Sequence, residues 1–203
     1  MTRRLALPML VFALSLLGVS PGIAEGFDLG LLRAGMPLVE LRHAAWPTGS
    51  RLLCAGDANL PTTVKSAPGE GIELPPRAAG RGMVPCALFA AGSDGAWTPR
   101  MMAFGGIPAR IWVLALVEKE GDEPRLVQAK LWQPDDAFAA TLAFVTGRLG
   151  SPTSANDRGA RWSNADSEAI IGHLSAGGIY TILTETHLEA VVRERTGTPE
   201  AKP

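Results

Sequence analysis

The sequence predicts an α+β fold in which two units, each a short helix followed by an antiparallel β-meander, pack around one core. Apolar residues recur at helical spacing in two short segments, and runs of β-forming residues follow each segment. Turns containing glycine or proline separate the runs. We expect residues 25–133 to form the first unit, residues 134–195 the second, and residues 196–203 a disordered tail.

The first 24 residues, 1–24, have the pattern of a secretory signal peptide. Two arginines precede an apolar stretch from Leu5 to Leu17, and Gly22 and Ala24 are the small residues that signal peptidase requires. The stretch is shorter than the roughly 20 residues of a transmembrane helix, and no cysteine stands at the cleavage point for a lipid anchor. We expect an exported protein, periplasmic or secreted, with no transmembrane segment after processing. An N-terminally anchored protein is the alternative.

The first predicted helix begins near Pro37 and ends before Pro47, with Leu38, Leu41 and Ala45 on one face. Short strands are then expected at "RLLCAG" and at "CALFAA", around the two cysteines of the chain. Between these strands lies a long loop, rich in proline and glycine, over residues 57–83. Long loops in compact domains are commonly functional or disordered.

The two cysteines, Cys54 and Cys86, are expected to form one disulfide bond, because exported thiols are normally oxidised. Their wide spacing differs from the close pairs of zinc sites and redox motifs. By the chain-entropy model such a bridge contributes about 3–4 kcal/mol. A copper or zinc site that recruits His43, or Met101 and Met102, is the alternative, although the histidines show no ligand spacing.

A hairpin is the clearest β signal in the chain. "ARIWVLALVE" is apolar and β-forming, "KEGDEP" is a turn, and "RLVQAKLW" alternates. We expect Val127, Ala129 and Leu131 to face the core, and Gln128 and Lys130 to face water.

The second helix is predicted to begin near Asp135 and Asp136, whose carboxylates suit a helix N-terminus, and to end at Gly150. Its apolar stripe consists of Phe138, Leu142, Val145 and Leu149. Further strands are expected at "ARWSN", "SEAIIGHLS" and "GIYTILTE", with a tight turn at Gly177 and Gly178. A capping box of Thr186 and Glu189 predicts a short final helix.

Both predicted units share short motifs with a family of envelope proteins. The matching residues are Gly35, Met36, Glu40, Leu41, Trp46 and Pro47, with Leu149, Gly150 and Pro152 at the second helix end. In these residues the chain resembles envelope proteins of the SmpA/OmlA type and the β-lactamase-inhibitor-like fold. It lacks their lipid-anchored cysteine. The resemblance implies an α+β fold and a non-catalytic binding role, and it transfers no binding residue.

Catalytic sequence motifs of the common hydrolase, metalloprotease and nucleotide-binding types do not occur. Ser93 and Asp94 are typical of a turn. His173, on an alternating strand, is expected to point inward and to be hydrogen bonded, and His187 to be solvated beside a helix cap. We therefore assign no catalytic residue, no metal and no cofactor.

Five tryptophans remain to be placed. Four of them are expected in the core or at its edge: Trp46, Trp112, Trp132 and Trp162. Trp97 instead lies among loop residues beside Arg100, and exposed Trp–Arg pairs are common interface anchors. Trp97 and Arg100 are therefore the predicted partner contacts.

The composition is that of a globular protein, because 46% of residues are hydrophobic and 19% charged. No basic stretch with interleaved aromatic residues predicts nucleic-acid binding. We expect a non-enzymatic interaction module of the bacterial cell envelope that meets an unknown envelope protein through a sheet face or through residues 57–83. The alternative is a small periplasmic enzyme, or a metal or small-ligand carrier, with a dispersed site. Clustering of Asp57, Asp94, His43 or His173 in one pocket would favour the enzyme, and a flat aromatic-rimmed sheet face the binding module.

Overall fold

A computed structural model describes residues 26–61, 64, 72 and 80–197 of the chain. The predicted signal peptide, most of the loop 57–83 and all but two residues of the predicted tail lie outside the described residues.

The described residues form three α-helices and ten strands. The helices are α1 (Leu38–Arg42), α2 (Phe138–Leu149, after a 3-10 turn at Asp135–Ala137) and α3 (Thr186–Thr196). The strands are β1 (Ser50–Cys54), β2 (Met83–Ala91), β3 (Trp97–Pro99), β4 (Met102–Phe104), β5 (Ile107–Leu116), β6 (Arg125–Gln133), β7 (Ser154–Asn156), β8 (Gly159–Ser163), β9 (Ser167–His173) and β10 (Ile179–Glu185).

All ten strands belong to one antiparallel sheet. Its main order is β1-β2-β5-β6-β10-β9-β8-β7, while β3 pairs with β2 and β4 pairs with β5. The fold is therefore α+β, dominated by an open antiparallel sheet. The sheet runs through both predicted units, because β6 pairs with β10 from Gln133–Ile179 to Gln128–Thr184.

The predicted disulfide is confirmed. Cys54 of β1 and Cys86 of β2 stand directly opposite each other in the strand pair, and their sulfur atoms are bonded. Both residues are fully buried. The bridge therefore joins an edge strand of the sheet to its neighbour.

The main core lies on one face of the sheet. The segment before α1, together with α1 and α2, packs against side chains from the central strands. These include Leu88, Val113, Leu131, Ile171 and Leu183. Within this core, Thr141 Oγ1 of α2 donates to Gln133 Oε1 at 3.0 Å, and Gln133 Nε2 donates to the Phe104 carbonyl at 3.2 Å. These hydrogen bonds satisfy the buried side-chain polar atoms of Thr141 and Gln133, which would destabilise the folded state if they had no partners.

The opposite face carries α3 at one end. Leu188 of α3 packs with Leu116, Val127 and Met83 in a second apolar cluster. The hairpin β5–β6 has its expected position, but a bulge changes its pattern, because Leu114 pairs with Gln128 whereas Ala115 pairs with Leu126. Val127 is therefore buried beneath α3, on the face opposite that of Ala129 and Leu131. All three side chains are buried, as expected, but Val127 belongs to the cluster beneath α3 and not to the main core.

The helix ends differ from the expected ones at two places. The first helix ends at Arg42, and Ala45 is exposed beyond it. Trp46 Nε1 donates to the Leu41 carbonyl at 2.9 Å, so the indole satisfies an acceptor that a longer helix would use. The predicted capping box is also wrong, because the Glu185 carboxylate caps α3 by accepting from the Leu188 amide, whereas Thr186 donates to the Ala165 carbonyl.

Candidate functional site

The predicted contact residues Trp97 and Arg100 lie beside β2. Trp97 is half-buried, and its ring is 5.8 Å from the guanidinium carbon of Arg51. The Arg100 side chain is exposed, and its backbone amide donates to the Leu88 carbonyl at 2.8 Å. The structure thus gives Trp97 a cation neighbour from β1, and its role as a partner contact stays a prediction.

The polar residues proposed for an enzyme have local structural partners. Asp57 accepts from Arg42 at 2.6 Å and from the Cys54 amide at 3.0 Å. Asp94 accepts from the Ala96 amide at 3.0 Å. His43 Nδ1 lies 2.8 Å from the Val39 carbonyl oxygen. Across residues 26–61 and 80–197, with residues 64 and 72, no three His, Cys, Asp or Glu side chains are grouped to hold a metal ion.

His173 corrects a further expectation. Its Nδ1 lies 2.9 Å from Asp135 Oδ1, and its ring stacks on Phe138 with 4.5 Å between centroids. The side chain is hydrogen bonded, as expected, but it is exposed. It is the last residue of β9, so it lies at the end of the sheet, beside the start of α2, where the core no longer encloses it.

A contiguous group of side chains stands on the sheet face opposite the main core, beside α3. Their strand positions alternate with those of core residues, and all except Arg161 are half-buried. We call this surface the open face. It consists of Arg110, Trp112, Lys130, Trp132, Arg161, Ile170, Tyr180 and Ile182.

Strand register arranges the open face in two rows. The first row crosses five strands, and each of its members is paired with the next: Arg161, Ile170, Ile182, Lys130 and Trp112. The second row runs beside it through Gly172, Tyr180, Trp132 and Arg110. Directly paired residues of an antiparallel sheet point to the same side, so each row is a continuous strip of surface.

Two apolar clusters border the open face. On one side, Val191 and Val192 of α3 pack with the cluster around Leu116. On the other, Trp112 packs against the cluster of Leu53, Ile72, Ala87 and Phe89. The Lys130 ammonium lies 5.5 Å from the centroid of the Trp112 ring, a cation–π distance. Burial lowers the pKa of Lys130, and the charge of Glu189 on α3 opposes that shift.

Gly172 of β9 stands at the end of the second row of the open face, next to Tyr180. A Cβ atom on Gly172 would lie 2.6 Å from the Tyr180 hydroxyl oxygen, so the tyrosine ring lies across this glycine. Next to Tyr180 lies a depression of about 250 Å³, and its lining includes Arg158 and Arg161. Arg161 forms an ion pair with Glu168, and the Arg161 side chain is 58% exposed.

A second depression, of about 500 Å³, lies beside Arg100 and includes both residues of the Met101–Met102 pair. Met101 is 52% exposed, whereas Met102 is 3% exposed and belongs to the main core. The two thioethers therefore occupy different environments.

The sequence pattern does not reveal the open face, because it favours positions in the core or at its edge for Trp46, Trp112, Trp132 and Trp162. Trp162 is 1% exposed and donates to the Gly150 carbonyl, as a core tryptophan should. Trp112 packs at the edge of the cluster around Phe89, as expected, and Trp132 is half-buried; both lie on the sheet face opposite the main core. The alternation of side chains along a strand is the feature that indicates this position. Ile111 and Val113 flank Trp112 and point to the main core, so Trp112 points to the opposite face.

No helix in the described parts of the chain is long and apolar enough to cross a membrane. Comparison of the chain with protein-family models, curated proteins and solved structures finds no significant match.

Proposed function

We propose that the protein is an exported, non-catalytic binding module of the bacterial cell envelope, periplasmic or secreted, and that it binds a partner protein on the open face. The observation that carries this proposal is the pair of rows of half-buried aromatic and aliphatic side chains on the sheet face opposite the main core. Large aromatic side chains with a polar atom are the residues that protein interfaces favour.

Export is supported by two independent features. Residues 1–24 have the signal-peptide pattern, and the bond between Cys54 and Cys86 is of the kind that persists outside the reducing cytosol. The buried position of both sulfurs protects the bond from exchange with other thiols.

The layout of the sheet supports a two-unit fold. Strands β1, β2, β5 and β6 follow α1, strands β7–β10 follow α2, and the two groups meet where β6 pairs with β10. We propose that these are the two helix-plus-meander units behind the resemblance to SmpA/OmlA-type proteins. In this arrangement both units contribute side chains to the open face.

Cross-linking in the native envelope tests the proposed function. The mature protein, tagged at its C-terminus, is captured after chemical cross-linking, and partners are identified by mass spectrometry. We expect one stoichiometric partner with the wild type, and its loss with Trp132→Ala and with Ile182→Ser, because both remove contact area from the open face.

Val39→Ser is the matched control for Ile182→Ser, since Val39 is apolar and 45% exposed on α1. It should retain the partner. Trp97→Ala and Arg100→Ala test the contact predicted from the sequence. Equal recovery of the partner by Ile182→Ser and Val39→Ser, with both variants folded by circular dichroism, would contradict the proposal.

A further inference from the structure

The first row of the open face has a cation on each side of an aliphatic centre. Arg161 stands at one end, Ile170 and Ile182 in the middle, and Lys130 next to Trp112 at the other end. Adjacent strands are about 4.8 Å apart, so three spacings place the backbones of Arg161 and Lys130 roughly 14 Å apart.

The charge of the open face differs from that of the whole chain. The chain has a formal net charge of −1, whereas the two rows of the open face carry the cations Arg110, Lys130 and Arg161. Glu168 stands on the same sheet face, two residues from Ile170 on β9, and pairs with Arg161, while the charge of Glu189 on α3 acts on Lys130. Arg158 adds a further cation beside the depression near Arg161. The surface is thus complementary to an anionic ligand.

The environment of Lys130 favours a carboxylate in particular. Lys130 is half-buried and its ammonium lies beside the Trp112 ring, so part of the hydration of the side chain is already lost in the free protein. A carboxylate that contacts it forms a charge-assisted hydrogen bond in surroundings that screen charge less than bulk water does. The cost of desolvating the lysine on binding is correspondingly smaller.

We propose, as an extension of the proposed function, that the occupant is a segment of a partner protein with acidic side chains on both sides of an apolar centre. Its carboxylates contact Lys130 and Arg161, and its aliphatic or aromatic side chains cover Ile170 and Ile182. Nucleic acid or an anionic membrane would place further negative charge over the two isoleucines, which lie between the cations of this row.

The backbone spacing of Arg161 and Lys130 sets the approximate length of such a segment. A distance of roughly 14 Å corresponds to about four residues of extended chain. The same distance corresponds to about nine residues of α-helix. We therefore expect two acidic positions at one of these spacings, with apolar residues between them.

Selection of random peptides displayed on phage, against the immobilised mature protein at low ionic strength, tests this inference. We expect enriched peptides with the acidic–apolar–acidic pattern. Their dissociation constants should rise at least about 10-fold with Lys130→Gln/Arg161→Gln, because one side of each charge pair is removed. Higher salt should weaken the wild-type complex.

The matched control is Lys119→Gln/Arg81→Gln, which removes two exposed cations outside the open face. Lys119 lies in the turn between β5 and β6, and Arg81 lies just before β2, so this change should leave binding unchanged. A charge exchange gives a second test, because peptides with lysine in place of the acids should bind Lys130→Glu/Arg161→Glu better than they bind the wild type. Urea midpoints for all variants show whether they are folded.

The outcomes separate this inference from the proposed function. Enriched peptides that lose binding with Trp132→Ala but not with Lys130→Gln/Arg161→Gln would overturn the acidic partner and leave the open face as a binding surface. No enrichment, or binding insensitive to both changes, would contradict both proposals. Binding of the wild type to vesicles of anionic phospholipid, lost in the double variant, would assign the face to a membrane surface instead.

Discussion

At the scale of single residues, tryptophan side chains have different roles on the two faces of the sheet. Trp162 is enclosed by the main core and donates from Nε1 to the Gly150 carbonyl at 2.8 Å. Trp132 is half-buried on the open face, opposite Tyr180. Removing Trp162 should therefore lower stability, whereas removing Trp132 should chiefly affect partner binding.

Lys130→Met is expected to raise the free energy of unfolding at neutral pH. Burial lowers the pKa of Lys130 from its ordinary value of 10.5, so the folded state disfavours the charged form. The resulting cost is fully present below the folded pKa and disappears as the pH rises towards 10.5, because the unfolded state then also loses its proton. Urea unfolding over this pH range measures the effect, and the advantage of the variant should shrink with rising pH.

Lys119→Met is the control for this prediction, because Lys119 is exposed in the turn between β5 and β6. Its effect on stability should be small. A wild type that is more stable than Lys130→Met at neutral pH would show that the cation–π contact with Trp112 outweighs the burial of the charge.

At the scale of elements, the pair β8–β9 depends on two glycines that face each other in the register, Gly159 and Gly172. A Cβ atom on Gly159 would lie 2.3 Å from the backbone oxygen of Ile171, whereas one on Gly172 would meet the side chain of Tyr180. The backbone cannot move without breaking the strand pair, but the tyrosine ring can rotate away.

We expect Gly159→Ala and Gly172→Ala each to cost about 1–3 kcal/mol of stability, with Gly159→Ala the more costly. Tyr180→Ala should relieve the cost of Gly172→Ala and not that of Gly159→Ala, which a double-mutant cycle in urea unfolding measures. Gly147→Ala in α2 is the control: a Cβ there meets nothing within 4 Å, so the change should stabilise by about 0.5–1 kcal/mol. Equal relief of both glycine variants by Tyr180→Ala would contradict this account.

At the scale of the whole molecule, the pairing of β6 with β10 makes one sheet of two meanders. Both helices that precede the meanders contribute to the same core, through Leu41 of α1 and Val145 of α2. A shared sheet and a shared core couple the halves energetically, so they should unfold together.

Leu131→Ala tests this coupling, because Leu131 lies on β6 and is fully buried. We expect a loss of about 2–5 kcal/mol. Hydrogen exchange should show equal loss of protection in β2 and in β9. Val39→Ala, on the surface of α1, should change neither strand. Retained protection of β9 after loss in β2 would show that the meanders unfold separately.

Local features of this protein were determined by the sequence itself. The hairpin β5–β6, the end of α2 at Gly150, and the turn at Gly177 and Gly178 follow from the spacing of apolar residues and from turn chemistry, which act over a few residues. The pairing of Cys54 with Cys86 also followed, because the two cysteines of the chain leave one possible intramolecular bridge.

Only the tertiary structure decided which surfaces are covered. A period of two shows that Trp112 points away from Ile111 and Val113, but not which of the two faces receives the helices. The bulge at Val127 and the pairing of β6 with β10 depend on partners distant in sequence. The open face is therefore a product of non-local pairing: its side chains come from five strands, and they become one surface only when register aligns them.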